Sequence, residues 1–360
     1  YLEYHRGCFT SQVNIKKLNR AAELYLITAE TLLTILNINL KGQSTQVDKE
    51  FYYNKAEFFD AWRKVLFNQF HDIIPGSSIQ DVYPQAFKEL EEVIEFAKKK
   101  IDMCVSLAEL IHGKEGRAIV FNPSSFVRAE TLAYNTSTIY VKNLNPLSFN
   151  EVYTDFVAYK GYPVETEIRG EKCYEIFNSH LKAGIRIKDG ALVSLVHLKS
   201  GKDIMKVTGR GAGIRVFRDE PKKYPAWNLD FDHLVKPVVV KFDDIKTSGS
   251  HVIVENSFLK SKSVIEYYLL PDDDFLRINI KVEMNDKKIV VKYFAPFELQ
   301  SEFVVSDAPY GTVTRSRVPK SEMQYAKFEI TKHQWIDISD EDFGVAFLSK
   351  DRYGAFANHL

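Results

Sequence analysis

Cysteine is scarce in this chain: 3 in 360 residues, Cys8, Cys104 and Cys173, with no CxxC pair. That excludes a disulfide framework and a cysteine-built zinc site, and it points to a reducing, cytoplasmic setting. Charge of one sign is also missing, since 48 basic residues balance 48 acidic ones. A polyanionic partner such as nucleic acid is therefore not expected. No uninterrupted apolar run approaches the roughly 20 residues of a membrane span, so no membrane partner is expected. Neither an initiator methionine nor a charged-then-apolar leader precedes YLEYHRG, which reads as a start inside a longer protein. The phosphate-loop fingerprints are absent, because GRGAG (209–213) lacks the strand-then-helix context. There is no GxSxG elbow and no HExxH. The single sequon, at Asn135, carries no weight, since one match is expected by chance.

What is present is apolar and aromatic material, 45% and 13% of the residues, enough for a sizeable core and two domains. The first part has a helical period. Leu18, Ala22, Tyr25, Ala29, Leu32 and Leu36 draw one stripe down a long helix. KAEFFDAWRKVLFNQF predicts a second helix with Phe59, Trp62 and Leu66 on its inner face. A third carries the stripe Leu90, Ile94, Ala97, Ile101, Cys104 and Ala108. Matching apolar seams predict an antiparallel three-helix bundle over 1–112. HGKEG then breaks the pattern. From Ala118 onward short runs rich in β-branched and aromatic residues alternate with Gly, Pro, Asn and Asp, which predicts an antiparallel β-sandwich over 113–360. KDG at 188–190 signals a hairpin. The fold class is thus α+β with more than one domain.

Chemistry concentrates in few places. FNQFHDIIPGSS (67–78) puts His71 and Asp72 where the second helix stops, before a forced turn at Pro75-Gly76. Ser77, Ser78 and Asp81 can cap the next helix. A neutral imidazole ligates a divalent metal, and an adjacent carboxylate binds sugar hydroxyls or orients a ligand. Judged alone, the pair favours a plainer reading, a helix-end histidine with a capping aspartate. One histidine also cannot hold zinc, which takes three protein ligands in catalytic sites. YHRG offers His5 as a ligand and Arg6 as a bidentate anion or sugar binder, against the plain reading of a surface arginine. RDEPKKYPAWNLDF (218–231) sets Tyr224 and Trp227 in a loop suited to sugar stacking or to closing one end of a sandwich. PDDD (Asp272–Asp274) reads as a solvated turn, and HQWIDIS as a strand with a buried Trp335 and with structural His333 and Asp337.

These stretches resemble one family in order along the chain. NQFHDIIPGSSI is similar to the NQFHD-[IV]-[IL]-PG-[ST] corner of the zinc-dependent retaining α-mannosidases, glycoside hydrolase family 38. YLEYHRGCFTSQ resembles its YLE-HRG-x-TSQ segment, and VFNPSSFVR its VFNP-S-W-R junction, with Phe126 where Trp is usual. IRIKDGALVSLVHLKSGKDIM, VFRDEPKKYPAWNLD, VEMNDKKIVVKYFAPFEL, DAPYGTVTR and KHQWIDISDEDFGVAFLSKDRYG match its later segments. In the DAWD-like loop Asn228 replaces an Asp.

The resemblance implies a galactose-mutarotase-like super-sandwich after the bundle. It implies hydrolysis of terminal α-linked mannose from oligosaccharides with retention. His71 would be one of four Zn2+ ligands and Asp72 a binder of sugar hydroxyls, with His5, Arg6, Tyr224 and Trp227 lining the cleft. The other ligands, the carboxylate nucleophile and the acid/base belong to an N-terminal β/α domain that this sequence lacks, so that domain is an expected partner and this segment alone is expected to be inactive. A homo-oligomer is left open. Two other readings compete: a non-catalytic carbohydrate-binding or assembly module, and an HD-type phosphohydrolase, for which the helices supply only His71 and His112 besides His5.

Overall fold

The computed structural model describes residues 3–40, 52–134, 137–153, 162–205 and 209–357. The sequon residue Asn135 lies outside them. The chain divides into two compact units.

One unit runs from Cys8 to Ala158, with Lys350–Arg352 added. It holds α1 (Val13–Leu40), α2 (Lys55–Asn68) and α3 (Val82–His112). The α1 stripe is as the spacing predicts: Ala22, Ala29, Leu32 and Leu36 are buried, joined by Ile15, Leu26 and Leu33. By length and composition α1 is apolar enough to cross a bilayer. Its apolar residues are interrupted by polar ones, and its stripe is buried in the bundle core with α3 residues Leu90, Val93, Ala97 and Cys104. The α2 face is also corrected. Phe59 and Leu66 are each 61% exposed, and Phe58, Ala61 and Val65 face inward instead. Phe58 stacks on Tyr53 and meets Phe96 of α3 edge-on, while Trp62 is half-buried and donates its indole N–H to Glu30 at 3.1 Å. Asn54 caps α2 by accepting from the Ala56 amide. Asp81, at the N-cap of α3, makes no side-chain capping bond, contrary to expectation.

The helices give way to strands after His112, and four short strands group with the helices: β1 (Arg117–Asn122), β2 (Arg128–Tyr134), β3 (Ser137–Leu144) and β4 (Ser148–Tyr153). They form two antiparallel pairs, β1 with β4 and β2 with β3.

The second unit takes the segment up to Gly7 and then residues 159–349 and 353–360. Its first sheet is five-stranded and antiparallel: β5 (Val164–Ile168), β6 (Glu171–Phe177), β7 (Leu181–Arg186), β8 (Leu192–His197) and β9 (Lys202–Asp203). The expected KDG hairpin joins β7 to β8, with the Gly190 amide donating to the Arg186 carbonyl at 2.8 Å. β10 (Gly213–Arg218) pairs with the short β11 (Pro237–Val238). A four-stranded meander follows in β12 (Lys241–Ser248), β13 (His251–Phe258), β14 (Ser261–Tyr268) and β15 (Arg277–Glu283). Burial alternates residue by residue along β13 and β14, as one-sided strands require. Ile176, Ala183, Ile185 and Leu192 of the first sheet share one core with Val252, Val254, Ile265 and Tyr267 of the meander. β16 (Ile289–Phe294) returns to pair with β10. The chain ends in β17 (Phe303–Ala308), β18 (Gly311–Ser316), β19 (Ile330–Thr331), β20 (Trp335–Ser339), β21 (Gly344–Leu348) and β22 (Gly354–Ala355). In β20 Trp335 is only half-buried, and Ile336 points into the core. Asp273 corrects the reading of PDDD as solvated: it is buried and accepts from the Leu270 amide and from Arg277 Nε at 2.7 Å.

Candidate functional site

The His-Asp corner is built from the end of α2. Asn68, 1% exposed, donates to the Lys64 carbonyl and to Glu89 of α3 at 2.8 Å. Gln69 donates to Glu23 of α1 at 2.8 Å and to Asn19 at 3.3 Å. The two amides of NQFHD thus tie the helix end to both neighbours. Amides of Ile73 and Ile74 then donate back to the Phe70 carbonyl, and Gly76 donates to Ile73. Gly76 has φ +87°, and a Cβ there would stand 2.5 Å from the Ser11 carbonyl oxygen, so glycine is required twice over. Ile73 is buried and points inward. His71 and Asp72 point outward, with side chains 78% and 48% exposed and Nε2 3.5 Å from Oδ2. The Phe70 ring lies 4.2 Å from the imidazole, centroid to centroid.

Sequence reasoning missed what lies beneath this turn. Lys16 is only 5% exposed. Its Nζ donates to the carbonyls of Ser11 at 2.6 Å, Ile74 at 2.9 Å and Pro75 at 3.0 Å. Burial pulls the ammonium down to about 8, and the nearby Cys8 thiol is pushed up by its own burial. A lysine in the first turn of a helix reads as solvated; the available signal was the 3–4 spacing of Lys16, Asn19 and Glu23 beside the apolar stripe.

The other candidate residues meet in the β unit. His5 stacks on Trp227 with centroids 5.9 Å apart, and Tyr224 lies 6.1 Å from Trp227. The Arg6 guanidinium sits 4.3 Å over the Phe328 ring and donates to the Ala326 carbonyl at 2.5 Å and to Asn228 Oδ1 at 3.5 Å. Arg6 is therefore not the surface arginine of the plain reading. The Gly7 amide donates to the Trp227 carbonyl at 2.8 Å, and a Cβ on Gly7 would meet the Asn228 carbonyl oxygen at 2.7 Å. Asn228, buried, donates to Asp230 at 2.7 Å. That pairing gives the Asn in place of the family's Asp a neutral, structural task. His71 with Asp72 form one group and His5, Arg6, Tyr224 and Trp227 another, each within its own unit.

A buried polar cluster beside the second group also escaped sequence reading. His233 donates through Nδ1 to the Asp230 carbonyl at 2.7 Å, which leaves Nε2 facing Glu329 at 3.7 Å. Lys292 is ion-paired with the same carboxylate. Burial pushes His233 down to about 4, Lys292 down to about 7 and Asp219 up to about 6.

Among the described residues, no three His, Cys, Asp or Glu side chains converge as a metal site. The donors present at the corner are one imidazole and one carboxylate, a fraction of a zinc site and not a whole one.

The sequence model of the "Glycosyl hydrolases family 38 C-terminal domain" matches residues 176–359, and that of the "Alpha mannosidase middle domain" matches residues 3–107. The chain is 26% identical to "Alpha-mannosidase 2C1" of Mus musculus over 99% of its own length and 35% of that protein. It is also 26% identical to the "Alpha-mannosidase" of Saccharomyces cerevisiae, over 100% of itself and 32% of that protein. The chain thus spans about a third of the length of the curated relatives it matches. A crystal structure of an alpha-mannosidase from Enterococcus faecalis V583 superposes with a TM-score of 0.74 at 11% identity, covering 97% of this chain and 50% of that one, and so shares the fold. With more than half of its residues matched by the family's own C-terminal domain, and the middle domain preceding it in order, the chain belongs to glycosyl hydrolase family 38.

Proposed function

We propose that this chain is the middle and C-terminal part of a retaining, zinc-dependent α-mannosidase acting on terminal α-linked mannose in oligosaccharides. In this reading His71 supplies one zinc ligand and Asp72 binds sugar hydroxyls, while the nucleophile and acid/base reside in a domain outside this sequence. The observation that carries it is the corner itself. An exposed imidazole and a half-exposed carboxylate stand side by side on a turn fixed from below by a buried donor, Lys16. A helix-end histidine with a merely capping aspartate needs no such clamp, and Asp72 sits after α2, where it can cap no start of that helix. Phe59, Leu66 and Phe70 lie exposed along the α2 face that leads to His71, which suits packing against a further domain. Zinc, when bound, would supply Lewis-acid binding of sugar hydroxyls. This chain's part is to hold one imidazole and one carboxylate in register.

The same reading makes the β unit a super-sandwich, supported by the core that β5–β9 and β12–β15 share. It divides the chain functionally near residue 112, where helix gives way to strand. It also places the protein in the reducing cytoplasm, supported by three free thiols, Cys104 and Cys173 among them buried in separate units.

The test is the metal content and turnover of the protein at its native length, before and after His71→Ala. Loss of zinc and of aryl α-mannoside hydrolysis is expected; unchanged zinc removes His71 from the site. The 360-residue chain by itself is expected to hydrolyse nothing, and clear turnover by a pure sample contradicts the placing of the nucleophile elsewhere.

A second reading draws on the stacked His5, Trp227 and Tyr224 surface, a sugar platform in a non-catalytic module. Glycan binding by calorimetry in metal-free buffer, abolished by Trp227→Ala, favours it.

A further inference from the structure

Lys16, Asn19 and Glu23 follow one another at helical spacing of three and four along α1, beside its apolar stripe. Such a polar ridge on the inner side of a bundle needs a reason, since each buried polar group loses its water. Each member of this ridge touches the same feature. Glu23 and Asn19 accept from Gln69, the second residue before His71. Lys16 donates to the carbonyls of Ile74 and Pro75, two and three residues after Asp72. Lys16 also holds the Ser11 carbonyl, the atom that packs against Gly76. The ridge therefore grips the chain on both sides of His71-Asp72 and touches neither side chain.

We propose that the Lys16–Asn19–Glu23 ridge of α1 is a positioning device that fixes the backbone of residues 69–76, and through it the direction of His71 and Asp72. Its central member is Lys16, a positioning residue that never meets the substrate. The proposal rests on the assignment of His71 and Asp72 to the site. Its physical basis is general. A ligand on a turn can swing with every backbone dihedral of that turn, and fixing those dihedrals from below holds the imidazole ready. An ammonium suits this task because it directs three donors at three separate carbonyls. Methionine at this position keeps the length of the stem and removes all three donors. Cys8 is a titratable group that acts on Lys16, and the cysteine's environment changes with it.

Hydrogen exchange of the 360-residue chain tests the proposal directly, on the wild type, on Lys16→Met and on Gln69→Ala, which opens the other end of the grip. Amides of residues 70–76 should exchange about tenfold faster or more in either variant, while those in the interior of α3 keep their protection. Zinc affinity of the native-length protein should then weaken by about tenfold to a hundredfold in Lys16→Met, as for other residues that orient a ligand. Unchanged exchange at 70–76 in both variants overturns the proposal and leaves the assignment of His71 standing. Faster exchange spread evenly over all three helices overturns it as well, by making Lys16 a general stability residue. A loosened corner with zinc binding unchanged also overturns it. In that case His71→Ala in the same metal assay separates the causes: if zinc stays there too, the assignment of His71 has failed as well.

Discussion

At the end of α2, His71 and Asp72 reach out over a turn whose Ile74 and Pro75 carbonyls accept from buried Lys16 and whose Ile73, Ile74 and Gly76 amides bond back within the turn. In the loop at 224–230 the arrangement is reversed: Arg6 and Asn228 turn inward onto Phe328, Ala326 and Asp230, and the apolar rings of Trp227 and Tyr224 face out. The corner turns its imidazole and carboxylate outward, 3.5 Å from each other. The loop and Arg6 turn polar groups inward and leave ring surface for stacking. Exposed donors on a fixed backbone are what a shared metal site asks of one contributor. Exposed rings on a fixed backbone are what a sugar platform asks.

If that contrast is right, substitutions beneath the corner should damage folding, and those at its tip should not. Gly76→Ala forces a left-handed backbone and a clash with Ser11, and should cost roughly 3 kcal/mol in urea unfolding of the chain. A cost near zero shows that the turn is loose. Asn68→Ala removes the buried amide's bonds to the Glu89 carboxylate, which keeps Gln85, and to the Lys64 carbonyl, and should cost about 1–2 kcal/mol by the same measurement. Arg6→Met removes two hydrogen bonds and the contact with Phe328, and should cost about 1–2 kcal/mol. A neutral result makes Arg6 available for ligand and blurs the contrast. At the tip, His71→Ala and Asp72→Ala should each fall within about 0.5 kcal/mol of wild type.

The β unit should also carry a pH signature. His233 is held neutral, with its ordinary 6.5 lowered to about 4. Between those values the unfolded chain takes up a proton that the folded one refuses, so its contribution to stability is present above 6.5 and lost as pH falls toward 4. Asp219, raised from 3.8 to about 6, has the opposite sign over much of the same window, because the folded state then binds the extra proton. The two are separated by comparing variants. The stability advantage of wild type over His233→Gln should shrink as pH falls from 6.5 to 4, by at most about 3 kcal/mol. A constant difference across that window shows that His233 is not buried neutral.

The helices were legible because long amphipathic segments repeat their signal many times: Ala22, Ala29, Leu32 and Leu36 are all buried as spaced. The α2 face was misread by one residue for a physical reason. Its sequence offers two apolar stripes, 58–61–65 and 59–62–66, and periodicity alone cannot choose between them; the fit of Phe58 against Phe96 does. The association of β1–β4 with the helices is tertiary and leaves no local trace. His71 and Asp72 stood out as candidates because a turn motif surrounds them, and the family resemblance gave them a role. Lys16 and Asp273 were missed because Lys and Asp are ordinarily solvated, and only their partners, the Pro75 carbonyl and Arg277, reveal that they are buried.

The central claim is that the fixed, outward-facing imidazole of His71 completes a zinc site whose other ligands lie in another domain. Zinc measured per protein molecule, on the native-length protein and on its His71→Ala variant after equal dialysis, tests it most directly. One zinc in the wild type and close to none in the variant is predicted. Equal zinc in both would contradict it.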